Sequence, residues 1–335
     1  MFVIEAINVH TALPKILREL EVCGIDHESR NGPVRLFPEP VCVEYRYPTQ
    51  RVLFWEQRDA NPFFHLFESL WMLAGRNDVE FPARFSKQIT QYSDDGEILH
   101  GAYGYRWRNF FTFDQIDAII TALQSNPDCR RQVLEMWYAP ADLGANGKDI
   151  PCNLVATFQI LHGRLNMTVF NRSNDIIWGM LGANAVHFSM LQEYIASSIP
   201  VSVGSYWQIS ANAHVYRNDL YERCRPISDN GPEPLRRTRW DPYQDWAFLD
   251  LRPLFNGNSK AEWDQDLERF MEGQREGMET EFFRHVAVPM YLTWETHKEN
   301  PEAAFDFADQ IGAADWRKAC KEWLKRRKFW TQKQS

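Results

Sequence analysis

At 335 residues, with 44% hydrophobic and 24% charged side chains, the chain is long enough to bury a large core and too apolar to be disordered. A net charge of −8 excludes a global positive field that would draw it onto nucleic acid or anionic lipid, so an anionic ligand has to be met by a local cluster of arginines. No stretch approaches eighteen uninterrupted apolar residues, and Met1–Val9 has no basic run ahead of an apolar one, so the expectation is a cytoplasmic protein with no membrane partner.

The six cysteines (Cys23, Cys42, Cys129, Cys152, Cys224, Cys320) are scattered without C-x-x-C pairs. They read as free thiols in a reducing cytosol, with no metal site.

In chain order, Asn61-Pro62 opens a run of Phe63, Phe64, Leu66, Phe67, Leu70, Trp71 and Leu73, spaced three and four apart and stopped by Gly75. This spacing predicts a buried helix. Glu68 falls within the stripe, where desolvation would suit a carboxylate to proton transfer, although a rim carboxylate fits the pattern equally well. Ile116, Ile119, Ile120 and Leu123 predict a second helix that breaks at Asn126-Pro127, followed by a strand over Gln132–Tyr138. Residues 154–161 and 164–171 read as a hairpin turning at His162-Gly163. From Asn184 the spacing is helical again, and 202–211 is strand-like. Segments near 225–243 and 253–258 are rich in turn residues, and the rest is helical and rich in Trp. No polar linker separates two cores, so the chain reads as one mixed α/β domain.

Candidate chemistry sits at the joints. Arg130 and Arg131 lie between a helix end and a strand, and Asn171-Arg172-Ser173-Asn174-Asp175 follows the hairpin. Guanidinium forks match phosphate oxygens, yet exposed arginines are also ordinary surface. Cys152 follows Pro151 at a strand start; a thiolate there could add to an electrophilic carbon, but an unpaired cysteine is more often a small buried hydrophobe. His214 and Tyr216, two apart on an extended segment, share a face and could meet a sugar hydroxyl. The run Lys325-Arg326-Arg327-Lys328 reads most simply as the solvated face of a helix carrying Trp316, Trp323 and Leu324.

The order of these motifs resembles the thymidylate synthase family across roughly residues 25–225. Ser29-Arg30-Asn31-Gly32 resembles the family's phosphate-binding arginine loop, and the Glu68 helix, ending Leu70-Trp71-Met72-Leu73-Ala74-Gly75, its glutamate helix. Tyr103-Gly104-Tyr105-Arg106-Trp107-Arg108 resembles its Y-G-x-x-W-R segment. The Arg130-Arg131 pair, Pro151-Cys152, Arg172-Ser173-Asn174-Asp175 twenty positions after Cys152, Asn184, and His214-Val215-Tyr216 follow in the family's order.

The resemblance implies an α/β (α+β) fold of one domain: a mixed sheet flanked by helices, a catalytic core over 1–225, a helical elaboration over 226–335, and a homodimer packed through its sheet. It implies that Cys152 is the covalent nucleophile toward a pyrimidine nucleotide and that 5,10-methylenetetrahydrofolate is the cosubstrate. Arg30, Arg172 and Ser173 would hold the 5′-phosphate, joined by Arg130 and Arg131 of the other subunit. His214 and Tyr216 would bind the 3′-hydroxyl, Asn184 would read the base edge, and Asp175 would contact the pterin. Glu68 and Tyr103 would move protons. The thiolate adds to ring carbon 6, carbon 5 takes up the one-carbon unit, and an exocyclic methylene results. Hydride from the folate then gives a methyl group, whereas water gives a hydroxymethyl group.

Departures from the family pattern bear on that last step. The synthases carry His after the nucleophile and an apolar residue three before it; here these are Asn153 and Asp149. An Asp at that position also resembles the phage deoxycytidylate hydroxymethylases, and its carboxylate could orient an attacking water. The stretch Lys87–Tyr92 lacks the synthases' tryptophans, and the chain ends Phe329-Trp330-Thr331-Gln332-Lys333-Gln334-Ser335 rather than in a short apolar tail, which implies a wetter site. The expectation is a hydroxymethylase, with a methylating synthase as the alternative. Asn at the base-reading position suits dUMP, but the preceding loop is one residue longer than the family's, so dCMP and a ribonucleotide stay open. A non-catalytic relative that binds nucleotide or RNA has no chemical need of Cys152, Glu68 and the arginines together.

Overall fold

A computed structural model describes residues 1–228, 241–244 and 251–333, without the side chains of 328–333. Most of the turn-rich 225–243 segment, Lys328 of the basic run, and the side chains of the closing Phe329–Ser335 stretch lie outside that description.

Among the described residues, ten strands form two sheets. In chain order they are β1 Phe2–Ala6, β2 Ile25–Ser29, β3 Gly32–Leu36, β4 Val41–Tyr45, β5 Val133–Glu135, β6 Asn153–Leu161, β7 Arg164–Asn171, β8 Asn174–Asp175, β9 Ser202–Ser210 and β10 Ala213–Tyr216. The large sheet runs β1-β4-β9-β7-β6-β5 and is mixed: β1 with β4 and β7 with β9 are parallel, the other pairs antiparallel. The small sheet runs β2-β3-β10-β8. The hairpin β6–β7 turns at His162 and Gly163, both at positive φ (50° and 70°), as a two-residue turn with right-handed strand twist requires.

Alternation along β7 and β9 buries Leu165, Met167, Val169, Tyr206 and Gln208 on one face. Helices Val9–Cys23 and Asn184–Ser198 cover that face, and the Pro62–Leu73 helix packs on Asn184–Ser198. The other face carries Val155, Thr157, Thr168, Phe170, Trp207 and Ile209, all half-buried.

The Pro62–Leu73 helix is capped by the Asn61 side chain accepting from the Phe64 N–H at 3.1 Å, and Gly75 leaves it at φ 69°. All but one of its residues are buried, because the C-terminal helices pack around it: Phe63 meets Trp294 and Trp323, and Phe67 meets Phe270 and Tyr291. Each such ring adds roughly 2 kcal/mol by burial, so the C-terminal helices share the core of the sheet domain.

The basic run is not simply a solvated face. Arg326 Nε donates to Asp59 Oδ1 at 2.8 Å, Arg327 Nη1 to Asp59 Oδ2 at 3.0 Å, and the Arg327 guanidinium lies 4.5 Å from the Trp323 ring. These contacts pin the last helix to the turn just ahead of Pro62. Among the described residues, no helix is long and apolar enough to cross a membrane, and no cluster of side chains is arranged to hold a metal ion.

Candidate active site

Cys152 stands immediately before β6, the strand next to the β5 edge of the large sheet. A bulge between Asn153 and Val155 bends the start of β6, and Cys152 sits half-buried just ahead of it. Arg172, at the end of β7, grips that turn: its backbone N–H donates to Cys152 O at 2.9 Å, its Nε to Pro151 O at 2.8 Å and its Nη2 to Ile150 O at 2.9 Å. The guanidinium is exposed and keeps Nη1 for another acceptor. Burial pushes the Cys152 thiol above its ordinary range, Arg172 pulls it back and the Asp149 carboxylate raises it further.

Tyr103 and Asp149 lie close to the Cys152 thiol, and Glu68 lies close to Asp149. The Tyr103 hydroxyl accepts the backbone N–H groups of Cys152 and Asn153 at 3.1 and 3.3 Å, and burial raises its pKa strongly. Tyr103 reaches this place because Gly104 lies against the Glu68 helix so closely that a Cβ would sit 2.1 Å from Met72 O. Asp149 Oδ2 accepts the Gly101 N–H at 2.7 Å; burial raises its pKa, and Glu68 is near enough to add to that. Glu68, 12% exposed, has His187 Nε2 only 3.0 Å from its Oε2, out of line for a hydrogen bond. His187 is buried one helical turn after Asn184, and the motif reading missed it because a His inside an apolar helix reads as core.

Asn184 is half-buried and held at both ends of its amide: Asn153 Nδ2 donates to its Oδ1 at 3.4 Å, and its own Nδ2 donates to Asn174 Oδ1 at 3.1 Å. The backbone kinks at Leu181-Gly182 ahead of Asn184, which stands beside Asn153.

The small sheet supplies the other wall. Asp175 Oδ1 accepts the Ile177 and Trp178 N–H groups, each at 2.8 Å, leaving Oδ2 for another donor. Its neighbour across β8–β10 is His214, whose ring stands perpendicular to Tyr216 with centroids 5.2 Å apart. Burial raises the Asp175 pKa and lowers that of His214, and each partly offsets the other. Arg30 is exposed at the tip of the β2–β3 hairpin, and its neighbour Asn31 donates to the Tyr216 hydroxyl at 3.4 Å. Arg30, Gln91, Tyr92, Lys148 and Tyr216 line an open cleft of about 730 Å³. Burial raises the Tyr92 pKa, and Tyr216, Asp175 and Asp149 add to the rise. Ser173 is half-buried beside Arg172, whereas Arg130 and Arg131 are exposed ahead of β5, at the end of that strand away from Cys152. Within one chain Tyr103, Arg172 and Asp149 meet the Cys152 turn, Glu68 meets Asp149, and Asp175, His214 and Tyr216 stand together on the small sheet.

Residues 45–237 match the family model described as thymidylate synthase. The chain belongs to the thymidylate synthase family. Among relatives, a deoxyuridylate hydroxymethyltransferase of Pseudomonas phage M6 is 51% identical over 98% of this chain and 95% of its own length. Another from Bacillus phage SP01 is 40% identical over 54% of this chain and 50% of its own. The crystal structure of thymidylate synthase from T4 phage aligns with a TM-score of 0.53 at 21% identity, covering 66% of this chain and 81% of that one, a likeness of fold.

Proposed function

We propose that this transferase places a hydroxymethyl group on carbon 5 of dUMP. The observation that carries this reading is the Asp149 carboxylate beside the Cys152 thiol, in a chain 51% identical over nearly its whole length to a deoxyuridylate hydroxymethyltransferase.

The Cys152 thiolate adds to carbon 6 of the uracil ring, its charge favoured by Arg172. Arg172, Ser173 and Arg30 hold the 5′-phosphate, with Arg130 and Arg131 of a second subunit completing the cradle. The half-exposed sheet face with Phe170, Trp207 and Ile209 is where that subunit packs. His214 and Tyr216 bind the sugar, and Asn184 reads the base edge.

Methylenetetrahydrofolate supplies the one-carbon unit at the formaldehyde level. The residues present fit it: Asp175 keeps one carboxylate oxygen for pterin N–H donors, and the half-buried Trp178 indole beside it offers a flat apolar face. Glu68 and Tyr103 assist loss of the carbon 5 proton. Asp149, with its pKa raised by burial, takes a proton from the water whose oxygen bonds to the nucleotide's exocyclic methylene, and Cys152 then leaves carbon 6.

The test is incubation with methylenetetrahydrofolate and dUMP or dCMP, with the product identified by mass. 5-Hydroxymethyl-dUMP with tetrahydrofolate is expected; a methylated nucleotide with dihydrofolate overturns the reading. Cys152→Ser is expected to abolish both product formation and exchange of the carbon 5 proton, and surviving exchange would refute the covalent step.

A further inference from the structure

Behind Asn184 lies a closed circuit of side-chain hydrogen bonds that all run in one sense. Ser210 Oγ donates to Asn171 Oδ1 at 3.5 Å, Asn171 Nδ2 donates to Asn153 Oδ1, and Asn153 Nδ2 donates to Asn184 Oδ1 at 3.4 Å. Asn184 Nδ2 then donates to Asn174 Oδ1 at 3.1 Å, and Asn174 Nδ2 returns to Ser210 Oγ at 3.2 Å. Except for Asn184, every member is buried.

A circuit of amides and one hydroxyl can run equally well in either direction if nothing outside it decides. Here Gln208 decides. Its Nε2 donates to the backbone carbonyl of Met180 at 2.8 Å, and a carbonyl can only accept. The Tyr45 hydroxyl spends its proton on the same carbonyl at 2.9 Å, so its oxygen accepts from Gln208 Nε2 at 3.1 Å. Both contacts force Gln208 Oε1 to be the acceptor, and Asn174 Nδ2 donates to it at 3.1 Å. That sets the amide of Asn174, which sets Asn184. Turning any one amide over would set donor against donor and acceptor against acceptor and leave buried groups unsatisfied.

We infer that this circuit, anchored through Gln208 on the Met180 carbonyl, fixes which end of the Asn184 amide donates and which accepts, and thereby selects uracil over cytosine. Gln208, Asn174 and Asn153 are positioning residues for that choice. The inference rests on Asn184 as the base reader. Uracil presents N3–H and O4, a donor and an acceptor, whereas cytosine presents a bare N3 and a 4-amino group, the reverse. An Asn184 free to rotate would satisfy either base by exchanging its ends; a fixed one opposes cytosine with two mismatched pairs.

The experiment measures dissociation constants of dUMP and dCMP by calorimetry, without folate, so that it does not depend on the product formed. Gln208→Met removes the anchor at similar volume and should lower the preference for dUMP over dCMP by about tenfold or more, by weakening dUMP and strengthening dCMP. Asn153→Ser replaces an oriented amide by a hydroxyl that can donate or accept, and the preference should fall in the same direction; it serves alone if Gln208→Met fails to fold in a thermal melt. Asn184→Asp is the control for the base reader. If Asn184→Asp shifts the preference while the other two weaken both nucleotides equally, the circuit does not set specificity. If Asn184→Asp leaves the preference unchanged, Asn184 is not the reader and the inference falls with that assignment.

Discussion

Burial and a neighbouring carboxylate raise the Cys152 thiol, and the Arg172 guanidinium opposes them. Removing the carboxylate as Asp149→Asn therefore lowers the thiol pKa, and the acid-side limb of the pH profile for carbon 5 proton exchange is expected to move to lower pH. The same variant loses hydroxymethyl product, because the amide cannot take a proton from water. A limb that stays in place would separate Asp149 from the thiol. His187→Leu leaves Glu68 without its imidazole neighbour; kcat is expected to fall at least about tenfold while KM for dUMP stays within about twofold. A rise in KM alone would make His187 a contact of the substrate instead. Cys152, Glu68 and Arg172 were legible in the sequence because motif spacing carries their identity. His187 was not, since its role comes from a second helix lying across its own; its one available signal was the spacing of three from Asn184 on the same face.

Strongly periodic segments were read well at the scale of elements. The Pro62–Leu73 and Asn184–Ser198 helices and the β6–β7 hairpin formed as their apolar spacing predicts. The strand expected over Gln132–Tyr138 shrinks to Val133–Glu135, because β5 is an edge strand and the N–H groups of both Met136 and Trp137 converge on Leu154 O, which ends the regular ladder. The Arg326–Arg327 clasp on Asp59 could not be read from a charge run, since the partner lies far away in sequence. Asp59→Ala is expected to cost about 1 kcal/mol in urea unfolding, the partly buried pair being worth more than an exposed one. No loss would mean the clasp is exchanged for water at no cost.

The Ala314–Lys333 helix also carries a titrating group. Burial raises the Asp315 pKa to about 6, while its Oδ2 accepts the Tyr243 hydroxyl at 3.0 Å. With the folded-state pKa above the unfolded one, the contribution is complete at pH below the ordinary carboxylate range and is lost as pH rises through about 6. Stability measured by denaturant should therefore fall over that window in the native chain, and Asp315→Asn should flatten the fall. An identical pH dependence in both would reject the assignment.

The proposal that the site is shared between subunits makes a prediction at the scale of the whole molecule. Chains carrying Arg130→Ala with Arg131→Ala, mixed with chains carrying Cys152→Ser, should regain part of the activity that each lacks, since one of the two sites in a heterodimer is intact. No recovery from confirmed heterodimers would place both arginines outside the site.

The sequence by itself determined the family and the helices and strands on which Cys152 and its neighbours sit, because periodicity and motif spacing are local properties of the chain. It also pointed to water as the reagent, through Asp149 and Asn153 on either side of Cys152. Only the tertiary structure decided that Asp149 and Glu68 share one acid–base cluster, that Asn184 stands beside Asn153, and that its amide has a single orientation. The physical reason is that hydrogen-bond direction and desolvation depend on which groups meet in space: the Met180 carbonyl reaches Asn184 through Gln208 and Asn174, which lie on two different strands.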